Sequence, residues 1–195
     1  MLFAHDTTAD SFDHAIDAPI IALFGGHWDL AYRLSTPGTL VPAAVLSGLI
    51  VAFCLLTRRL NGAVLAAAAV PAAEGLVEGV LKPLVHRTYL GLPAYPSGHT
   101  TAVFAVAATV AVLLAVPPRP ERARTVGVLI TAIAFLMAGL VALAVIALRW
   151  HYFTDTVAGA AVAIGTVCGL ALILDVLQLA LGLDHAHRTA GACAA

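Results

Sequence analysis

Charged residues are scarce in this sequence, and lysine is almost absent. Only 11% of the 195 residues are Asp, Glu, Lys or Arg. The chain contains one lysine, Lys82, and nine arginines. Soluble domains carry roughly 25% charged residues, so this composition excludes an ordinary soluble domain. The formal net charge of -1 provides no basic surface for a nucleic-acid partner.

Cysteine is scarce as well. Cys54, Cys168 and Cys193 are odd in number and far apart, so they predict neither a disulfide framework nor a metal site. The N-terminus has no basic start followed by a cleavage site, and we therefore expect no signal peptide.

Hydrophobic residues make up 61% of the chain, and the mean hydropathy is +0.97. These values predict an all-α, polytopic membrane helix bundle that forms a single domain over residues 1–195. About five apolar segments are each near the ~20 residues needed to cross a bilayer. The predicted spans are 38–57, 61–82, 98–116, 125–148 and 153–181.

Residues 11–24 predict an amphipathic helix that precedes the spans. One face carries the apolar residues Phe12, Ile16, Ile20, Leu23 and Phe24. Another face carries Asp13, His14 and Asp17, and Gly25-Gly26 ends the helix. A helix of about four turns that contains acids is expected to lie on the membrane surface. The alternative is a first spanning helix within residues 11–33.

The arginines predict the orientation of the chain. Alternation of the spans places these arginines on one side: Arg58, Arg59, Arg119, Arg122, Arg124 and Arg188. The positive-inside rule makes that side cytoplasmic, with the N-terminus outside and the C-terminus inside. The alanine-rich, lysine-poor composition favours a bacterium with a GC-rich genome as the source, and the expected location is the bacterial inner membrane.

Three groups of polar residues fall together on the opposite, extracytoplasmic side. They are Lys82 with Arg87, Ser97-Gly98-His99, and Arg149 with His151 and Asp155. Cations near a bilayer are costly and are usually functional. Arginine, lysine and the free N–H groups of a Ser-Gly turn that opens a helix together suit a tetrahedral oxyanion. The alternative is a set of cations that only anchor the protein at lipid headgroups.

Two histidines accompany these cations. His151 and Asp155 are four residues apart, so on a helix they share one face, where the carboxylate would orient the imidazole as a nucleophile. His99 would then donate a proton to a leaving group. The alternative is a structural His–Asp pair at a helix start. This combination predicts phosphoryl transfer through a phosphohistidine, with no metal and no cofactor.

Glu78 and Glu74 lie one and two turns, respectively, before Lys82 on the same predicted helix face. They are expected to be counter-charges for Lys82 or an arginine. The alternative is a hydrogen-bonding site for a sugar or glycerol hydroxyl beside the phosphate.

Residues 75–165 resemble the type 2 phosphatidic acid phosphatase (PAP2) superfamily. The resemblance is carried by Pro96-Ser97-Gly98-His99, by the run from His151 to Asp155, and in part by Lys82 to Arg87. It implies a metal-independent membrane phosphatase whose substrate is a lipid phosphate.

The resemblance also implies roles for individual residues. His151 would be the nucleophile, Asp155 the residue that orients it, and His99 the acid. The phosphate ligands would be Lys82, Arg87, Ser97 and Gly98. The family has arginines where this chain has Tyr89 and Val145, so Arg149 is the nearby candidate to replace the second of them.

The substrate could be a polyprenyl phosphate or diphosphate, a polyprenyl-linked phosphosugar, or phosphatidic acid or phosphatidylglycerophosphate. A polyprenyl carrier of bacterial envelope synthesis is the preferred expectation. The alternative of another class is a protein that binds or transports lipid phosphates without catalysis, which the two missing arginines would favour. The soluble vanadium haloperoxidases share only the core of the family, so the predicted spans argue against that activity.

Overall fold

The structure is a computed structural model that describes residues 11–89, 91–115 and 121–192, with side chains for 11–89, 91–115 and 124–182. The elements, in chain order, are α1 (Ser11–Leu23), α2 (Trp28–Ser35), a 3-10 turn (Thr36–Gly38), α3 (Leu40–Leu56), α4 (Leu60–Leu76), a π-helical segment (Val77–Leu81), α5 (Lys82–Val85), β1 (Thr88–Tyr89), β2 (Leu92–Pro93), α6 (Gly98–Ala115), α7 (Glu121–Ala147) and α8 (Phe153–Ala192). The predicted all-α membrane bundle is confirmed. The two short strands pair antiparallel, with Thr88 opposite Pro93.

Within the described residues, four helical segments are long and apolar enough to cross a membrane: Leu60–Val85, Gly98–Ala115, Arg124–Ala147 and Phe153–Gly182. They correspond to the last four predicted spans. The first predicted span, 38–57, becomes α3, which meets the same criterion only together with Trp28–Gly38, to which it is bent by 47°. The reason is length, since α3 has 17 residues.

Small residues let the helices pack closely around α6, which contacts α4, α7 and α8. The core of the bundle is rich in buried alanines, among them Ala69, Ala73, Ala105 and Ala163. The start of α6 and α8 approach each other closely at Gly159, where an added Cβ would lie 2.5 Å from the carbonyl oxygen of Ser97. Small residues serve this purpose in membrane bundles, because the packing of helices against each other depends on close van der Waals contact.

The two ends of the bundle carry different groups of charged residues. At one end of the bundle, a cavity is lined by Leu40 at the start of α3 and by Glu74 near the end of α4. Arg58 and Arg59, between α3 and α4, line another cavity with Asp175 of α8. The predicted site residues and this arginine pair therefore lie at opposite ends of the bundle, as the alternation of spans requires. Arg119 lies outside the described residues, and Arg122 and Arg188 lie outside the described side chains.

The N-terminal helix α1 ends at the predicted glycines, where Gly26 has a positive φ of 82°. Its 13 residues are too short for a membrane span. Its apolar residues Phe12 and Leu23 are exposed, whereas Asp13 and Asp17 are buried against the rest of the protein. The acidic face of α1 therefore points into the molecule, and its apolar face remains available to lipid.

Candidate active site

One cavity of about 570 Å³ collects residues from all three predicted groups. Its polar lining comes from the residue before α3, from α4, the π-helical segment, α5 and β1, from the start of α6, and from the turn between α7 and α8. The polar and charged lining residues are Thr39, Glu74, Glu78, Lys82, Tyr89, His99, Arg149, Trp150 and His151. Gly98 also lines the cavity, while Arg87, Ser97 and Asp155 do not.

The two histidines face each other across this cavity. His99 lies in the first turn of α6, and His151 lies in the turn before α8. Their ring centroids are 6.5 Å apart, so one phosphoryl group is able to contact both imidazoles. The indole of Trp150 lies beside His99 with a centroid distance of 5.5 Å.

The orientation of His151 is set by a backbone carbonyl. Its Nδ1 lies 2.8 Å from the carbonyl oxygen of Ala94. A carbonyl oxygen only accepts hydrogen bonds, so Nδ1 must carry the proton, and Nε2 keeps its lone pair. This is the tautomer that a nucleophilic histidine requires.

Asp155 does not orient His151 directly, which corrects the expectation from the sequence. The nearest distance between the two, from Asp155 Oδ2 to His151 Nδ1, is 3.8 Å and is too long for a hydrogen bond. Instead, Oδ2 accepts the backbone N–H of Tyr152 at 2.9 Å, and Oδ1 accepts Arg87 Nη1 at 2.8 Å. The carboxylate thus holds the backbone of the residue that follows His151, in the manner of a capping box at the start of α8.

Arg87 is a second correction, because its side chain is fully buried away from the cavity. Its guanidinium pairs with Asp155 and with Asp13, whose Oδ2 lies 2.5 Å from Nη2. Burial lowers the pKa of Arg87, but the hydrogen bond with Asp13 and the charges of Asp155 and Asp13 outweigh it and raise the pKa overall. Arg87 is therefore a permanent internal cation rather than a phosphate ligand.

The Ser-Gly turn contributes less than expected to the cavity. Ser97 is buried, its hydroxyl accepts a hydrogen bond from Thr100 Oγ1 at 3.1 Å, and its backbone N–H donates to the carbonyl of Asp155 at 3.0 Å. The backbone N–H of Ser97 is therefore not available to phosphate, and Ser97 does not line the cavity. A contact of its hydroxyl proton with phosphate stays a prediction. Gly98 does line the cavity, at the N-terminus of α6.

Carboxylates stand beside the lysine in the cavity. Glu78 Oε1 lies 2.5 Å from Lys82 Nζ, and the π-helical segment carries Glu78 just before Lys82. Glu74 Oε1 is buried and has no hydrogen-bond partner among the described residues. Both carboxylates lie against Gly98, since a Cβ there would be 3.1 Å from Glu78 Oε1 and 3.3 Å from Glu74 Oε2. Glu78 is thus a counter-charge for Lys82, and Glu74 is an acceptor available to a hydroxyl donor.

Arg149 reaches the cavity because of a helix C-terminal turn. It has a left-handed φ of 58°, and the N–H groups of Arg149 and Trp150 donate to the carbonyls of Ile146 and Val145. This is the Schellman arrangement, which reverses the chain direction after a helix. Val145 itself is completely buried, so Arg149 is the arginine that lines this side of the cavity.

Sequence reasoning missed the inward face of α1. Asp13 and Asp17 accept hydrogen bonds from the backbone N–H groups of Thr154 at 2.9 Å and Phe153 at 3.1 Å, respectively. Burial and the neighbouring charges of Asp13 and Asp155, opposed by that hydrogen bond and by Arg87, raise the pKa of Asp17 to about 6. The signal was available in the sequence, because two acids spaced four apart share a helix face.

No metal site is evident in the part of the chain that the structure describes, where no group of three or more His, Cys, Asp or Glu side chains could hold an ion. The family model of the PAP2 superfamily matches residues 63–178, which is more than half of the chain. No curated protein and no solved structure matches the chain.

Proposed function

Because the chain belongs to the PAP2 superfamily and is therefore a phosphatase of the lipid phosphate type, we propose that it dephosphorylates a lipid phosphate through a phosphohistidine. The observation that carries the proposal is the pair of facing histidines in a cavity that also contains Lys82 and Arg149. The membership and the apolar helices together make the protein a multi-pass membrane phosphoric ester hydrolase.

In the proposed first step, Nε2 of His151 attacks phosphorus and forms the N–P bond. The bond from phosphorus to the ester oxygen breaks, and the departing oxygen takes a proton from His99. Water then attacks phosphorus and gives a proton to His99 while the N–P bond breaks. Inorganic phosphate leaves, and both histidines are restored. The hydrogen bond from Nδ1 to the Ala94 carbonyl, at 2.8 Å, supports this assignment, because it leaves Nε2 free and stabilises the positive charge on the ring.

Charge neutralisation in this proposal comes from side chains and the helix terminus. Lys82 and Arg149 line the cavity, and the first N–H groups of α6 are unpaired within their helix. Such groups stabilise the negative charge that develops on transferred phosphoryl oxygens. We therefore expect the activity to be independent of metal ions.

The preferred substrate is a polyprenyl phosphate or diphosphate, or a polyprenyl-linked phosphosugar. Glu74, with its buried oxygen in the cavity wall, favours a headgroup with hydroxyl donors and so supports the phosphosugar within this group. Phosphatidic acid or phosphatidylglycerophosphate is the alternative. The proposed setting is a bacterial inner membrane, with one domain over residues 1–195, the cavity on the extracytoplasmic face, the N-terminus outside and the C-terminus inside.

The test is phosphate release by the purified protein in detergent, with and without EDTA, over a panel of these lipids. His151→Ala is the variant, and His27→Ala, which removes an exposed histidine before α2, is the matched control. We expect release that survives EDTA, persists in the control and is lost in His151→Ala. Release that is unchanged in His151→Ala would exclude the proposed nucleophile.

A non-catalytic lipid-phosphate binder is the second candidate. It is favoured by the presence of Tyr89 and Val145 where the family has arginines. It predicts that the folded protein binds lipid phosphates but releases phosphate from none of them.

A further inference from the structure

Buried charged groups connect the N-terminal helix α1 to the turn between α7 and α8 that carries His151, here called the catalytic turn. Asp13, Arg87 and Asp155 have side chains with no exposed area. Taking charged groups out of water is costly unless they are paired and hydrogen-bonded, so these three must hold a fixed arrangement. Arg87 is the only cation in this trio, and it pairs with one carboxylate from α1 and one from α8.

Arg87 is connected to His151 by two routes. Its side chain pairs with Asp155, which holds the N–H of Tyr152, the residue next to His151. Its backbone carbonyl accepts the N–H of Ala94 at 2.9 Å, and the carbonyl of Ala94 in turn accepts Nδ1 of His151 at 2.8 Å. A displacement of Arg87 therefore moves the backbone of the catalytic turn and the hydrogen-bond partner of the imidazole together.

Asp13 is the group that fixes Arg87 from the other side. Besides the guanidinium, its carboxylate accepts the N–H of Thr154 at 2.9 Å and the Thr154 hydroxyl at 2.9 Å. That hydroxyl is itself 2.6 Å from Arg87 Nη1. Asp13 thus binds both Arg87 and the first turn of α8, whose N–H groups would otherwise lack partners.

From these contacts we infer that Asp13 is a positioning residue of the phosphatase and that α1 is a working part of its active site. This inference rests on the proposed function of His151. Asp13 pairs with Arg87 and with Thr154, and neither of these residues lines the cavity. Its effect therefore passes through Arg87 and Asp155 to the nucleophile. Loss of its charge therefore disturbs the alignment of His151 more than the binding of substrate.

The test compares Asp13→Asn with Asp29→Asn, which makes the same change at an exposed acid of α2. For folded Asp13→Asn we expect kcat to fall by at least about tenfold with little change in KM, because small misplacements of a reacting group can cost on the order of 100-fold. Asp29→Asn should retain both constants. A purely structural role for Asp13 would lower the yield or melting temperature but leave kcat per folded protein unchanged, and that result would overturn the inference.

Hydrogen exchange gives a readout that does not depend on activity. Peptides that cover residues 87–97 and 149–156 should exchange faster in Asp13→Asn than in wild type or Asp29→Asn. If the wild-type protein releases phosphate from no lipid, the proposed function fails, and unchanged exchange in these peptides would independently overturn the positioning role. If Asp13→Asn does not fold, Asp13→Glu is the milder variant, because it keeps the charge but moves the carboxylate relative to Arg87, and the same two outcomes apply.

Discussion

At the scale of single residues, the cavity is short of positive charge for a phosphatase. Lys82 and Arg149 face it, but Lys82 is already paired with Glu78 at 2.5 Å. Arg87, the third cation of the group predicted from the sequence, is buried between two carboxylates. The phosphate of a substrate must therefore compete with Glu78 for the lysine.

Glu78→Gln should relieve this competition. The change removes a negative charge next to Lys82 while it keeps the shape of the side chain, and about half of the Glu78 side chain is exposed to solvent. We expect KM for a simple lipid monophosphate to fall roughly twofold to fivefold, a modest effect typical of exposed ion pairs. Steady-state kinetics measure it, with Asp175→Asn at the other end of the bundle as the control, and an unchanged or higher KM would contradict the competition.

Arg149→Asn should weaken substrate binding without disturbing the turn. Asparagine tolerates the left-handed conformation that Arg149 adopts at φ 58°. Loss of a charged hydrogen bond to phosphate should raise KM about tenfold or more. Arg58→Asn makes the same change at a left-handed residue after α3 and should leave KM unchanged. Equal KM values for both variants would show that Arg149 does not bind phosphate.

The residues that line the cavity could be predicted from the sequence better than the hydrogen-bond partners of the site residues. The cavity does contain His99, His151, Lys82, Gly98 and Arg149, because each follows or precedes a recognisable apolar segment. The partners of the other residues depend on tertiary contacts, such as the carbonyl of Ala94 on His151. A backbone carbonyl leaves no trace in the residue pattern, so the spacing of His151 and Asp155 suggested a direct hydrogen bond instead.

At the scale of elements, α1 shows that the acidic face of an amphipathic helix can pack against the protein instead of facing water. Its apolar residues suggested a membrane-facing side, and Phe12 and Leu23 are exposed as expected. Sequence reasoning assigned no partner to the acids on the other face. Asp17 instead accepts the N–H of Phe153 at the start of α8, since the unpaired N–H groups of a helix N-terminus attract carboxylates.

Asp17→Asn should change the pH dependence of stability. The folded pKa of Asp17 is about 6 against a reference value of 3.8, so the folded state binds more protons than the unfolded state between these values. Asp17 therefore makes the wild-type protein lose stability as pH rises from about 4 to 6. The neutral asparagine does not ionise, so the variant should not lose this stability as the pH rises.

The fluorescence of Trp28 and Trp150 can follow thermal unfolding at a series of pH values. The melting temperature of Asp17→Asn relative to wild type should rise between pH 4 and pH 7. A difference that stays constant across this range would show that Asp17 does not titrate as described.

Gly159→Ala should separate α8 from the start of α6. An added Cβ would lie 2.5 Å from the Ser97 carbonyl and 2.9 Å from Thr101 Oγ1. We expect a loss of about 1–3 kcal/mol in the free energy of unfolding together with reduced activity, since Ser97 also binds the carbonyl of Asp155. Gly165→Ala is the control, because nothing lies within 4 Å of its added Cβ. Equal melting temperatures for the two variants would contradict this account of the contact.

At the scale of the whole molecule, composition and segment length were sufficient for the fold class. The four spans from Leu60–Val85 onward match their predicted segments, because a bilayer requires long uncharged helices. The first span could not be predicted as it is, since the bend of 47° between Trp28–Gly38 and α3 depends on how these segments pack. The orientation of the bundle in the membrane stays a prediction from the positive-inside rule.

The same assembly places two histidines, His99 and His151, and two cations at one end of the bundle. The proposed mechanism requires that His151 becomes covalently phosphorylated. The most direct measurement is acid-free quenching of the enzyme during turnover of a lipid labelled with radioactive phosphate, followed by mapping of the label. We predict a base-stable, acid-labile phosphoryl group on His151 that is absent in His151→Ala. Release of phosphate without any label on the protein, or label on another residue, would contradict the account.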